Sequence, residues 1–258
     1  MLTRRLPPVF GMAVATCVLT GAAGFPWNDA LAGAPFITDD AGITKRWEID
    51  LFSSGTKTRN DFSVNLPAVE IDYGMYDRIQ FHAVLPLVFD SPAGGPRQYG
   101  YGDTELGIKV RVFNPAEGSP LPRIAVFPLV EVPTGNADRG LGTGHLRAFL
   151  PVWLDKELAE GWTAFGGGGF WLNQLPASRN YWYAGAGVLH DLTEDLHAGI
   201  EVFHQTGGPA NKPTTGFNIG AIYDVTETLH VLGSAGQGIR NVSVTNQFSY
   251  YVGLQFTF

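Results

Sequence analysis

The chain has 258 residues, with 17 Lys and Arg against 24 Asp and Glu and a formal charge of -7. That balance argues against a nucleic-acid partner, which needs basic patches, and the single cysteine, Cys17, excludes a disulfide framework or a thiolate metal centre. With 33 glycines and 16% charged residues the chain leans to strands and turns; a near-zero mean hydropathy excludes a bundle of membrane helices but not a membrane β-barrel, whose alternating residues cancel in the average.

Arg4 and Arg5 make a basic start, Val9 to Phe25 is mostly apolar, and Ala30-Leu31-Ala32 is a small-x-small cleavage site. Residues 1–32 therefore read as an export signal cleaved near Ala32, and 33–258 as the mature domain. The apolar run is short for a membrane anchor and carries Gly and Thr. Arg4-Arg5 alone is thin support for a twin-arginine signal, and Thr16 is bulky for a lipoprotein box at Cys17. Without the signal the chain has no cysteine.

Twelve strand-length runs follow, each bounded by turn residues: Trp47–Ser54, Asn65–Tyr73, Arg78–Phe89, Thr104–Phe113, Arg123–Pro133, His145–Asp155, Trp162–Leu172, Asn180–His190, Leu196–Gln205, Gly216–Val225, Leu229–Gly236 and Phe248–Phe258. Many alternate. Trp47, Ile49 and Leu51 interleave with Glu48 and Asp50; Val69, Ile71 and Tyr73 with Glu70 and Asp72; Leu106, Ile108, Val110 and Val112 with Glu105, Lys109 and Arg111. Runs seven and eight are rich in glycine and do not declare their faces. Tight links at Gly74–Asp77, Asp191–Asp195 and Thr226–Thr228 alternate with long ones such as Asp90–Asp103, Thr134–Gly144 and Thr206–Thr215. Short turns at one end and long loops at the other are the habit of bacterial membrane barrels.

A soluble sandwich also alternates. Two features favour lipid as the solvent of the apolar face. Ionisable residues sit deep within the polar rows, and Trp47, Tyr73, Phe89, Trp153, Trp162, Trp171, Tyr181, Trp182, Tyr223 and Phe258 gather near strand ends, where aromatic girdles form. The fold expected is all-β: a transmembrane antiparallel up-and-down barrel of about twelve strands in a bacterial outer membrane. In lipid every backbone N–H and C=O needs a partner, so the last strand must pair with the first.

Several stretches carry a family resemblance. Pro35-Phe36-Ile37-Thr38-Asp39-Asp40 precedes the first strand, and Tyr73-Gly74 with Asp77-Arg78 makes a turn. Tyr101-Gly102-Asp103-Thr104-Glu105-Leu106-Gly107-Ile108-Lys109-Val110-Arg111-Val112-Phe113 has a G-D-x-x-L-G-x-K-x-R-F pattern, followed by Asn180-Tyr181-Trp182 and Thr215–Asp224. In that order, over nearly all of 35–258, they resemble the outer-membrane β-barrel "transporter" family labelled "putative meta-pathway phenol-degradation proteins". The resemblance implies a barrel and uptake of aromatic or other hydrophobic compounds. It brings no catalytic motif.

The residues expected to line the lumen are Glu48, Asp50, Glu70, Asp72, Glu105, Lys109, Arg111, Glu131, Arg147, Glu201 and Asp224. Their mixed signs suit cross-strand ion pairs, with Glu131 near Arg147 and Asp72 and Arg78 flanking one turn. Such pairs either fill a closed lumen or form a selectivity track. Phe52, Phe113 and Phe203 share the polar rows, and with Phe127 they offer apolar lumen surface. In the last run Tyr250, Val252, Leu254, Phe256 and Phe258 alternate towards a terminal aromatic, a candidate recognition signal for the barrel-assembly machinery. The expected partners are membrane lipid, that machinery and an unidentified small solute; no cofactor is implied. A lipid hydrolase is the enzymatic alternative, resting on His204 at the loop end of run nine, but no G-x-S-x-G or metal-spaced His pair accompanies it.

Overall fold

A computed structural model describes residues 33–116, 118–174, 179–208 and 212–258. The expected export signal, with Cys17 and Ala32, lies outside them. The fourteen strand segments are β1 (Trp47–Lys57), β2 (Asp61–Met75), β3 (Ile79–Pro92), β4 (Gln98–Tyr101), β5 (Thr104–Phe113), β6 (Arg123–Val126), β7 (Leu129–Val132), β8 (Arg147–Ala159), β9 (Trp162–Asn173), β10 (Tyr181–Asp191), β11 (Leu196–Gln205), β12 (Thr214–Thr226), β13 (Leu229–Arg240) and β14 (Phe248–Thr257).

They form twelve staves. β4 and β5 both pair with β3 and run on from one another past Gly102-Asp103; β6 and β7 both pair with β5 and β8 and are parted at Phe127-Pro128. Pro128 has no N–H for the ladder, and the gap is bridged by bonds from Phe127 N to Pro151 O and from Ile108 N to Pro128 O. Every adjacent pairing is antiparallel, and β1 closes on β14 from Glu48↔Thr257 to Lys57↔Phe248. Phe258 N adds a bond of 2.9 Å to Trp47 O at the seam. The sheet thus has no edge. No helix among the described residues is long and apolar enough to cross a membrane; the crossing elements are strands.

The first two staves are longer than the pattern suggested, leaving only residues 58–60 between them. Their ends lack the alternation that betrays a strand, since Ser, Thr and Asn occupy the interior row there. The outer face is apolar and uncovered, with Leu51, Leu106, Val152, Val202, Ile219 and Val252 standing out from it. The inner face carries Asp50, Asp72, His82, Lys109, Arg147 and Glu201, all buried. A polar row turned inwards and an apolar row turned outwards is the arrangement of a barrel dissolved in lipid.

Aromatic belts mark both ends. At the short-turn end Trp47 packs on Tyr73 with ring centroids 4.6 Å apart and Trp162 on His190 at 4.0 Å; Tyr223 and Phe258 are exposed there. Trp182 packs on Phe170 near the long loops. Trp153, Trp171 and Tyr181, expected in these girdles, instead point inwards and are buried. Position near a strand end does not decide a face; parity does, and in β8 Trp153 shares the parity of Arg147 and Phe149. Phe52 and Phe203 are buried inside as expected, whereas Phe113 is exposed beyond an irregularity in the pairing of β5 with β6.

Candidate functional site

The interior is threaded by the chain that precedes β1. Residues 33–44 run inside the barrel as a strap, tied at successive points to the wall. Ser234 Oγ donates to Pro35 O at 2.5 Å. The Glu201 carboxylate accepts Ile37 N at 2.9 Å on one oxygen and Thr38 N at 2.8 Å on the other, while Asn218 Nδ2 donates to it at 2.6 Å. Thr38 Oγ1 meets Tyr183 OH at 2.8 Å. Lys109 Nζ holds the Asp39 carboxylate at 2.9 Å, Arg111 Nε donates to Ala41 O at 3.0 Å, and Thr44 N donates to Gln80 Oε1 at 2.9 Å. The strap has no helix or sheet partner of its own, so its backbone depends on these side chains.

The wall is shaped to admit it. A Cβ at Gly185 of β10 would overlap Thr38 Oγ1, and Cβ atoms at Gly199 of β11 and Gly220 of β12 would each lie 3.0 Å from the Phe36 ring. Gly185 therefore faces inwards, with Tyr181 and Tyr183 of its own row, and in β9 the parity of Phe165 and Trp171 puts Gly167 and Gly169 on the same inner face.

Above the strap, towards the long loops, the lumen is aromatic. Phe127, Leu129, Phe149, Trp153, Trp171, Tyr181, Tyr183 and Phe203 form one buried cluster, with Ile37 of the strap packed against it. Phe149 stacks on Trp171 at 4.8 Å. Arg147 caps the cluster: its guanidinium lies 4.4 Å from the Trp171 ring centre and donates to Glu131 Oε2 at 2.9 Å, Tyr181 OH at 3.0 Å and Asn173 Oδ1 at 2.9 Å. Arginine suits this place because its planar fork bonds in plane while its face stacks on a ring.

Below the strap, towards the short turns, the lumen is acidic. Glu48, Asp50, Glu70 and Asp72 face a cavity of about 290 Å³, whose walls include Phe36, Asp39, Gln80, His82 and Lys109. His82 lies between carboxylates: Nδ1 is 2.9 Å from Asp72 Oδ1 and 3.5 Å from Glu70 Oε1, and Nε2 is 3.0 Å from Glu105 Oε1. Asp50 is touched by Tyr251 OH at 3.4 Å and Gln255 Nε2 at 3.5 Å.

Of the eleven residues expected to line the lumen, Glu70, Asp72 and Glu105 meet through His82, Glu131 meets Arg147, and Lys109, Arg111 and Glu201 hold the strap. Glu48 and Asp50 face the cavity. Asp224 stands apart at the short-turn rim, where His230 Nδ1 is 2.6 Å and His197 Nε2 is 3.3 Å from its carboxylate. Asp72 turns to His82 rather than to Arg78, which is exposed on the turn. Sequence reasoning passed over His82 although it sits on the polar row, two residues beyond Gln80. It also passed over the strap: nothing in the residues 35–40 shows that they fold back inside. In β14 Val252 and Leu254 are exposed on the outer face, as is Phe258 just beyond it, and Tyr250 OH meets Ser53 Oγ at 3.0 Å. His204 Nδ1 bonds to Thr215 Oγ1 at 2.8 Å.

A closed twelve-stave barrel with an apolar outside, a charged and aromatic bore and an internal strap defines a transmembrane β-barrel. The chain belongs to the family described as "Putative MetA-pathway of phenol degradation", which matches residues 52–258. Among solved structures it is similar to an outer membrane channel from Pseudomonas putida F1, with 15% identity, a TM-score of 0.70, and coverage of 83% of this chain and 96% of that one. It is also similar to the KdgM porin (10% identity, 82% of this chain and 99% of that one, TM-score 0.57) and the NanC porin (8%, 81% and 98%, TM-score 0.54). At such identities the likeness is one of fold. No curated protein sequence matches the chain.

Proposed function

We propose that this protein is an outer-membrane channel for small aromatic or otherwise hydrophobic solutes, held closed here by residues 33–44. One observation carries the reading. The bore pairs an aromatic wall, able to pass flat apolar molecules, with a strap whose backbone is fastened by polar contacts that can be exchanged for water and whose Phe36 and Ile37 side chains pack on that wall. The family and the fold shared with an outer membrane channel and two porins support the location and the transport class. In that setting residues 1–32 act as the export signal, and Tyr250, Val252, Leu254, Phe256 and Phe258 as the strand read by the assembly machinery. The charged lumen residues then have two duties: Lys109, Arg111 and Glu201 fasten the strap, and Glu131 with Arg147 stiffens the wall.

Catalysis is no part of this proposal. His204 is engaged by a threonine hydroxyl, and no Ser or carboxylate among its described hydrogen-bond partners completes a hydrolytic set.

The test is planar-bilayer conductance of the refolded chain beside a variant lacking residues 33–44, with liposome uptake of toluene-like solutes measured in parallel. The deletion should conduct more and admit the solute faster, and Trp171→Ala in the deleted background should slow uptake of aromatic solutes more than that of a sugar of similar size. Two silent bilayers without uptake would instead favour a structural barrel with a filled lumen, a reading to which the occupied bore also lends itself.

A further inference from the structure

The acidic tier has a feature that neither the strap nor the passage of apolar solutes explains. Asp50 and Glu70 are 2% and 5% exposed, both face the cavity, and Asp50 Oδ1 and Glu70 Oε2 have no hydrogen-bond partner among the described residues. Buried carboxylate oxygens are costly to leave unmet. The cationic side chains nearby are spent elsewhere: Lys109 is turned to Asp39 and Arg111 to Ala41 O.

We propose that Glu70, Asp72 and His82 form a binding site for a divalent transition-metal ion of the Zn²⁺ class, with Asp50 and Glu48 facing its open side. One ligand atom from each of the three lies within 4.8 Å of the others. Metal–ligand bonds of about 2.0–2.2 Å in a tetrahedral shell put donors about 3.3–3.6 Å apart. His82 Nδ1 already stands 2.9 Å from Asp72 Oδ1 and 3.5 Å from Glu70 Oε1, so an ion needs only small side-chain rotations. The other ring nitrogen is oriented for the task. With Nε2–H given to Glu105 Oε1, 3.0 Å away, Nδ1 is the nitrogen left to bind the ion once any proton it shares with Asp72 has gone. This is the carboxylate–histidine–metal relay common around protein-bound zinc. On binding, Nδ1 releases any proton it carries to solvent and Nε2 keeps its own. Imidazole selects against Mg²⁺, which prefers an all-oxygen shell with several waters. The ion ties β2 to β3 and balances the charge beneath the strap. The site stands whether or not the bore conducts.

The experiment uses the full chain, refolded in detergent and stripped with EDTA, titrated calorimetrically with Zn²⁺ and separately with Mg²⁺. One equivalent of Zn²⁺ per barrel is expected and no Mg²⁺. Glu70→Gln and His82→Gln should each weaken Zn²⁺ at least tenfold, and Glu105→Gln, which acts only by positioning His82, about tenfold or more. Heat-modifiable gel mobility verifies that each variant is a folded barrel. Because a variant can fail to fold, the unmutated barrel is also loaded with Co²⁺, whose X-ray absorption should report one nitrogen from imidazole and otherwise oxygen ligands. Absence of stoichiometric Zn²⁺ overturns the proposal. So does binding that survives Glu70→Gln and His82→Gln but is lost in His197→Gln with His230→Gln, the turn histidines beside Asp224.

Discussion

Replacing Glu201 by alanine should release the middle of the strap. The carboxylate, 1% exposed, accepts the N–H groups of Ile37 and Thr38, and is the acceptor of both among the described residues. A hydrogen bond to a charged group contributes about 1.5–3 kcal/mol, so the two together hold the strap by about 3–6 kcal/mol. At about 1.4 kcal/mol per factor of ten, the lower figure moves the docked-to-undocked ratio by about a hundredfold. Ser234, Lys109 and Arg111 still hold both flanks, so the lower figure is the one to expect. The assay is thiol labelling of Ala41→Cys, a position fully buried inside the barrel, with Cys17 replaced by serine. Maleimide should react about a hundredfold faster once Glu201 is gone, and single-channel conductance should rise. Glu201→Gln keeps one acceptor and should fall between. Equal labelling rates in all three proteins would refute the idea that this carboxylate latches the strap.

Gly185→Val should act from the opposite side, because its side chain takes the space of Thr38 Oγ1; the same labelling assay should show an undocked strap in a barrel of unchanged heat-modifiable mobility. Arg147→Met should lower the barrel's stability in urea by about 3–5 kcal/mol, the usual cost of breaking a buried ion pair, while Lys156→Met on the same strand should cost under about 0.5 kcal/mol. Deleting Phe258 should reduce the yield of barrel assembled in the membrane and leave the conductance of the assembled fraction unchanged; normal insertion of the truncated chain would remove Phe258 from the assembly signal.

The fold was legible because lipid imposes a rule that sequence must display. Every interior stave needs alternation, so Glu70 and Asp72 against Val69, Ile71 and Tyr73 mark both the strand and its faces before any coordinates. The seam of β1 with β14 follows from the need to leave no edge. What stayed hidden involves contacts remote in sequence. Glu201 is plainly on an inner face, but its partners are backbone groups 163 and 164 residues away. Closeness to strand ends suggests a girdle place for Trp153 and Trp171, a cue that parity overrides. The glycines of β9 and β10 carry no side chain from which a face can be read; for Gly185 of β10 the meaning comes from Thr38, which fills the space it leaves, as Phe36 does at Gly199 of β11 and Gly220 of β12.

The strap is continuous with the wall it closes, and that decides how it behaves as a stopper. A separate plug would bind according to its supply and leave a share of bores open at low abundance. A segment joined to β1 at Trp47 docks intramolecularly, at an effective concentration on the order of millimolar for so short a leash. If residues 33–44 close the bore as proposed, each barrel is closed by its own chain at any copy number. Solute arriving from outside can open it only by competing for the very groups that hold residues 35–41, whereas a pull from the side where β1 begins draws on the leash directly. In such a design the fraction of barrels that are open is set by how this one segment is held, and not by how many barrels the membrane contains.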